Sequence, residues 1–373
     1  MVYIVTIVVT LISILGIFRI KSEGFIVDDL PKADKIYTDL KWFETNFGGV
    51  MPLEIIVDTK KKNGLMRSVK PIAAIDEFSS YLDSSDATAR PLSFVEGLKF
   101  AKQAFYDGDT LSYAIPYESD LAFIGPYLKA KKDSAPTTGP NAFNRLISNF
   151  IDSNKQKARI SVNMKDIGSA KLPELLAKFE TKANQIFDRA SYKISFTGSS
   201  VSFLEGSSFI INGLKESIFW AFLLISLCML YLFKSIKILF SSLIPNLIPL
   251  IVTAGVMGWA GIALKPSTVL VFSVALGIVI DVTIRFLINY KQELPSHQNQ
   301  VGPTLIQTIK HTGISIIYTS LVLIAGFIIF SFSDFGGTKA LGWLTSLTLV
   351  VGTITNLVLL PVLILTISGK KNG

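Results

Sequence analysis

Two long stretches of the chain are almost free of charge. Between Ser217 and Leu264 the only charged residues are Lys234 and Lys237, and between Gly313 and Ser368 only Asp334 and Lys339. With 50% hydrophobic and only 17% charged residues, the chain is too apolar for an ordinary soluble domain. The segregation shows where the apolar excess goes: into membrane-spanning helices, each needing about 20 apolar residues. The charge-rich remainder, from Arg19 to about Ser208, reads as one large water-exposed insertion.

The expected architecture is an α-helical membrane protein of six spans. Residues 1–18 form an uncharged run, just long enough to cross, without the basic n-region or small-x-small cleavage site of a signal peptide. It also lacks a basic flank, so the chain is expected to begin partway through a longer parent. Residues 19–208 form the insertion between helices 1 and 2. A five-helix domain, 209–373, follows, with spans at about 209–233, 238–264, 267–290, 313–332 and 340–367. Loops holding Lys234 and Lys237, Arg285, Lys291 and Lys310, and Lys370 and Lys371 alternate with loops holding only Lys265 or Lys339. By the positive-inside rule the first set is cytoplasmic, both termini with it, and the insertion lies outside. That partition accounts for the net charge of +8. No arginine-rich run or interleaved aromatic pattern suggests nucleic acid.

Within the insertion, alternation at Leu53, Ile55 and Val57, at Ile160, Val162 and Met164, and at Tyr192, Ile194 and Phe196 predicts three strands. Pro71 opens a helix with Ile72, Ile75, Phe78 and Leu82 on one side. Ser93 and Glu96 have capping-box spacing for a second. DLAFIGPYLKA suggests a short helix, and the run through Leu175, Leu176, Phe179, Ala183, Ile186 and Phe187 an amphipathic one. GSSVSFLEGSS is expected to close the domain. This order suggests a split βαβ, ferredoxin-like α/β sandwich. No Walker loop, G-x-S-x-G or His/Cys cluster occurs, so no enzyme, metal or cofactor is expected. His297 and His311, in the polar stretch 291–312, lack neighbours at ligand spacing. Cys228, the single cysteine, excludes an intrachain disulfide and is expected to pack as a small apolar residue.

The run from Ser267 to Tyr290 carries Asp281 well inside it. A carboxylate at mid-membrane costs about 2.5–3.5 kcal/mol even on the lenient insertion scale, so it marks a functional site by default. Ser273, Gly277 and Asp281 fall at i, i+4 and i+8 on one side, where two small residues admit a close neighbour. Counted at 1.5 Å per residue, Asp281 lies about 14 Å from the cytoplasmic end, Thr319 about 9 Å and Asn356 about 16 Å. Three polar groups from three helices therefore share a depth, as a proton relay requires. Arg285 is the candidate modulator. It either snorkels to the interface, the favoured expectation, or pairs with Asp281 at i+4, which would oppose protonation of the carboxylate. Pro245 and Pro249 remove backbone donors, and Asn246 between them is placed to bond the freed carbonyls.

GIVIDVTIRFLINYKQEL resembles the G-x-x-x-D helix of the resistance-nodulation-division (RND) superfamily, closest to its Patched-like and MMPL-like exporters. The likeness extends to VDDLPKADKIYTDLKWFETNFGGVMPLEIIVDTKK, LIPNLIPL, IIYTSLVLIAGF, SDFGGTKALGWL and TNLVLLPVLIL, covering nearly the whole chain in family order. It implies proton-motive-force-driven export of hydrophobic or lipid-like compounds from a bacterial inner membrane. Asp281 would be the titrating residue and Gly277 the close-packing one, with the insertion as porter domain. Val282 and Arg285 stand where many relatives carry a second acid and a His, and Asn356 where they carry Asp. The chain resembles the C-terminal half of a two-half transporter, so the resemblance implies a second half as partner, together with membrane lipids, a hydrophobic substrate and protons. The competing expectations are a non-transporting sterol- or lipid-sensing module and a SecD/SecF-like protein-export accessory.

Overall fold

The computed structural model describes residues 1–120 and 148–368. The short helix expected at DLAFIGPYLKA lies, apart from Asp120, outside them. The chain divides into two compact units, Lys32–Gly206 and the combination of Met1–Pro31 with Ser207–Gly373. Residues 19–31 thus stand with the helical unit.

The first unit is α/β. After α2 (Lys35–Phe47; α1 belongs to the helical unit), the strands β1 (Met51–Asp58), β2 (Lys157–Met164) and β3 (Lys193–Thr197) form a three-stranded sheet in the order β2-β1-β3. β1 is antiparallel to both neighbours, so β2 and β3 run parallel to each other across it. Joined by α5 (Leu172–Ile186), β2 and β3 make the expected split βαβ unit. A ferredoxin-like fold has four strands, and the described residues of this unit supply three.

The alternating residues do what their period dictates. Leu53, Ile55 and Val57 are fully buried, and so are Ile160 and Met164. They pack against Ile72, Ile75, Phe78 and Leu82 of α3 (Val69–Asp83), Phe94 and Leu98 of α4 (Phe94–Phe105), and Phe179 and Ala183 of α5. The Ser93–Glu96 capping box forms only by half. Ser93 accepts from the Val95 amide at 3.2 Å, but Glu96 turns away and accepts from Tyr113 and Arg90, each at 2.6 Å. Three stronger donors outcompete a backbone amide: Arg90, Tyr113 and Lys99.

GSSVSFLEGSS, the stretch that closes the insertion, is helical over most of its length. From Ser199 it is the start of α6 (Ser199–Phe233). Ser200 donates to the Pro52 carbonyl at 3.0 Å and is fully buried, which anchors the first turn despite its poor helix formers.

In the second unit five helices are long and apolar enough to cross a membrane: α6, α7 (Ile236–Trp259), α8 (Pro266–Glu293), the composite Val301–Phe332 and the composite Gly336–Ile367. The fourth comprises α9 (Val301–Thr308), a π turn (Ile309–Gly313) and α10 (Ile314–Ile328), and ends in a 3₁₀ turn at Ile329–Phe332. It starts within the stretch 291–312, which the sequence presents as a polar connection. The fifth comprises α11 (Gly336–Ile354), a second π turn (Thr355–Leu359) and α12 (Leu360–Ser368). The N-terminal run is a shorter apolar helix, α1 (Val2–Ile17).

α1 lies along α7 on a seam of small residues. A Cβ on Gly255 would sit 2.4 Å from Ser13 Cα, and one on Gly258 only 1.8 Å from the Gly16 carbonyl oxygen. Trp259 Nε1 donates to the Ile12 carbonyl at 3.1 Å, and the Arg19 guanidinium lies over the Trp259 ring. Beyond this same C-terminal end of α1, the chain is tied by Lys265 to Asp28 and Asp29, and the Gly336 amide donates to the Asp29 carbonyl at 3.0 Å. The segment SDFGGTKALGWL therefore closes on a loop near α1. Cys228 is exposed on the weakly packed α6 and does not join a core.

Candidate functional site

α8 starts where its sequence says it should. Pro266 occupies the first turn, and the Lys265 amide donates to Thr268 Oγ1 at 3.0 Å. Along the helix Val271, Ala275, Val279, Thr283, Phe286 and Leu287 are buried against α7, α11 and neighbouring elements. Leu270, Val274, Gly277, Asp281 and Ile288 are exposed and recur at helical spacing as a single open stripe.

Asp281 stands on that open stripe, its side chain 64% exposed. Its Oδ2 accepts from Arg285 Nη2 at 2.7 Å. The pairing favoured second is thus the one that forms. With i+4 spacing and no other acceptor on the stripe, Arg285 folds back onto Asp281 instead of snorkelling. Ser273 donates to its own helix, to the Leu270 carbonyl at 3.0 Å, and a Cβ on Gly277 would meet nothing within 4 Å. Gly277, expected to admit a close helix neighbour, has none among the described residues.

Neither Thr319 nor Asn356 is hydrogen-bonded to Asp281. Thr319, half-buried on α10, donates to the Ser315 and Ile316 carbonyls of its own helix, as membrane threonines often do. Asn356 is fully buried, in the π turn. Its Oδ1 accepts from Thr283 at 2.6 Å, and its Nδ2 donates to the Gly352 carbonyl at 3.0 Å. Thr283 is two residues from Asp281 and therefore about 200° around the helix. No hydrogen bond among the described residues links Asp281, Thr319 and Asn356. Equal depth fixes a level in the bilayer, and only the helix phase fixes which groups meet.

The buried side of α8 instead carries a polar cluster. Thr283 Oγ1 lies 2.6 Å from Asn246 Oδ1, 2.6 Å from Asn356 Oδ1 and 3.2 Å from the Val279 carbonyl. Both asparagines are anchored through their amide nitrogens, Asn246 to the Ser242 carbonyl at 2.8 Å and Asn356 to that of Gly352. One hydroxyl hydrogen thus faces three oxygens, so the cluster is rich in acceptors. The proline region is satisfied from elsewhere. Pro249 leaves the Pro245 carbonyl without its helix donor, and Thr355 Oγ1 donates to it at 3.0 Å. Asn246, expected to serve a freed carbonyl, bonds Ser242 instead. A second polar contact, Thr253 to Thr348 at 2.6 Å, holds α7 to α11. Thr283, Thr253, Thr348 and Thr355 were not singled out in the sequence. Their signal is a hydroxyl on the buried side of a membrane-length helix, visible only once the neighbouring helices set the phase.

Of the two histidines, His311 Nδ1 lies 3.2 Å from Glu293 Oε1 and His297 Nδ1 lies 3.1 Å from the Glu293 carbonyl. Among the described residues no three His, Cys, Asp or Glu side chains gather as a metal would require.

Five membrane-length helices, an α/β unit inserted before them and a carboxylate on an open helix stripe define a multi-pass membrane protein. A model of the MMPL family matches residues 129–372, more than half of the chain, and the protein belongs to that family, a part of the RND superfamily. The match is consistent with a C-terminal half. No curated protein matches the chain.

Proposed function

We propose that the protein is one half of a proton-driven exporter of hydrophobic or lipid-like compounds in a bacterial inner membrane. Both termini would be cytoplasmic, and the α/β unit would act outside as a porter-like domain. The observation that carries the proposal is the open stripe of α8. An ion pair left facing hydrocarbon is costly, and Gly277 beside it is bare to any approaching helix. A second six-helix half packing on this stripe would cover Asp281, and a polar group from that half would complete a relay that this chain alone lacks. Protonation of Asp281 would release Arg285 and change the helix contact, the kind of motion between two halves by which transporters alternate. MMPL membership supports a transporter of lipid-like substrates.

The test uses the protein with its partner half in proteoliposomes under an imposed pH gradient. Asp281→Asn is expected to abolish proton-coupled transport while the protein still folds, and undiminished transport would sink the mechanism. Gly277→Leu is expected to leave the fold of this chain intact but to prevent assembly with the second half. One observation favours a different role. Arg285 already holds the Asp281 carboxylate in an ion pair on its own helix at 2.7 Å, an arrangement that a non-transporting lipid-sensing module would allow. Lipid binding indifferent to the pH gradient in both wild type and Asp281→Asn would select that role.

A further inference from the structure

A groove of about 430 Å³ runs between α1, α7 and the start of α12. Its walls include Ile7, Leu11, Leu247, Ile248, Leu359 and Leu363. Thr6 and Thr10 also line it, but each hydroxyl donates to its own helix, to the Val2 and Thr6 carbonyls at 2.9 and 2.7 Å. The surface they offer is therefore apolar. The groove exists because the glycine seam stops short of it. Gly16, Gly255 and Gly258 bring α1 and α7 into backbone contact further along, whereas here the facing residues are large. At the mouth, Tyr3 Oη lies 2.8 Å from Thr366 Oγ1, which fixes α1 to α12.

The dimensions select the occupant. The lined part of α1, from Tyr3 to Leu11, rises about 12 Å. Half of a 30 Å hydrocarbon layer is about 15 Å, so the groove matches the acyl depth of one leaflet. Lys237 lies one heptad before Ile244 and two before Ile251, both groove residues, and hence on the same side of α7. It is exposed and makes no ion pair among the described residues. It stands about 10 Å beyond Ile244, at the end of the span where a lipid headgroup would lie. In the first turn of α7 the Ile238 amide is capped by Ser235, and the Ile236 and Lys237 amides lie at the same level.

We infer that the groove is a binding site for an anionic phospholipid of the leaflet on the Lys237 side, one acyl chain between α1 and α7 and the phosphate at Lys237. The site lies on the α1–α7 side of the unit and does not depend on the transport mechanism. The lipid would act as a fixed component, completing the packing that the glycine seam begins.

Native mass spectrometry of the purified full chain, offered phosphatidylglycerol or phosphatidylcholine at equal concentration, tests this. Wild type is expected to retain phosphatidylglycerol in preference. Lys237→Gln should lower that retention about fivefold, the factor for losing one cationic contact with an anionic lipid. Leu247→Trp should fill the groove and abolish retention. Leu247 is 45% exposed, so the larger side chain displaces no core residue. Equal retention of both lipids, or of phosphatidylglycerol by all three proteins, would overturn the site. So would efficient disulfide cross-linking of Leu247→Cys between copies in a Cys228→Ser background, which would show a second chain covering the groove.

Discussion

The contact between α1 and α7 makes a prediction with a definite sign. In Gly258→Ala the new methyl would lie 1.8 Å from the Gly16 carbonyl oxygen. Reaching an ordinary contact of about 3.4 Å requires α1 to move by about 1.6 Å, against an interior packed too densely to yield freely. Overpacking of this kind costs about 1–3 kcal/mol. The shift also stretches the 3.1 Å bond from Trp259 to the Ile12 carbonyl beyond hydrogen-bonding range, about 1 kcal/mol more. The expected loss is about 2–4 kcal/mol. Gly213→Ala on α6 is the control, because a Cβ there meets nothing within 4 Å. Removing a helix glycine at such a site should stabilise by up to about 1 kcal/mol. Unfolding of both variants in detergent micelles, by heat or by titrated SDS, should therefore move in opposite directions. If Gly258→Ala unfolds like Gly213→Ala, the seam is not a close contact and α1 is not held on α7 as described.

Thr283→Val keeps the shape of the side chain but withdraws the hydroxyl from Asn246 and Asn356. Stability measured in the same micelles should fall by about 1–3 kcal/mol, the cost of leaving buried acceptors unpaired, whereas Thr319→Val, whose hydroxyl serves only its own helix, should change little. In the α/β unit, burial alone would raise the Glu96 carboxyl, but donors on Tyr113, Lys99 and Arg90 outweigh it and hold the group below the ordinary carboxylate range. A depressed carboxyl stabilises the fold above its unfolded value of about 4.3, and that stabilisation disappears as pH falls through the lower folded value. Hydrogen exchange of α4 in the full chain should show wild type losing protection below about pH 4. Glu96→Gln should be less protected at neutral pH, by about 1–2 kcal/mol, and flatter in acid.

The strands and the α3 core were legible because an alternating or helical period states which side is buried before any partner is known. Leu53, Ile55, Val57, Ile72, Ile75 and Phe78 are all fully buried. The membrane helices were legible as lengths but less so as ends. Ser199–Ser208 lies before the expected start of the first long span and Val301–Thr312 within an expected polar connection, yet both are helical. A buried Ser200 and the buried Thr304, Leu305 and Thr308 supply the tertiary contacts that composition cannot show. The candidate site was legible residue by residue and not as an arrangement. Asp281, Gly277 and Ser273 share a stripe, as their spacing requires. Whether Asn356 meets Asp281 or Thr283 depends on the rotation of two helices about their axes, and nothing in a single span fixes that angle.

The π turn at Thr355–Leu359 gives the last span a phase shift. An α-helix advances 100° per residue, and a π turn absorbs one extra residue without advancing the faces beyond it. Asn356 is set by the phase inside the turn, Leu363 by the phase after it. Deleting one residue between 355 and 359 would restore continuous α-helix, and whichever end stayed fixed, the other would turn by about 100°. Either Asn356 would leave Thr283 and Gly352, or Leu363 would leave the groove beside α1. Length at this point is therefore constrained more tightly than residue identity: the span tolerates a conservative substitution in the turn more readily than it tolerates a turn of ordinary length.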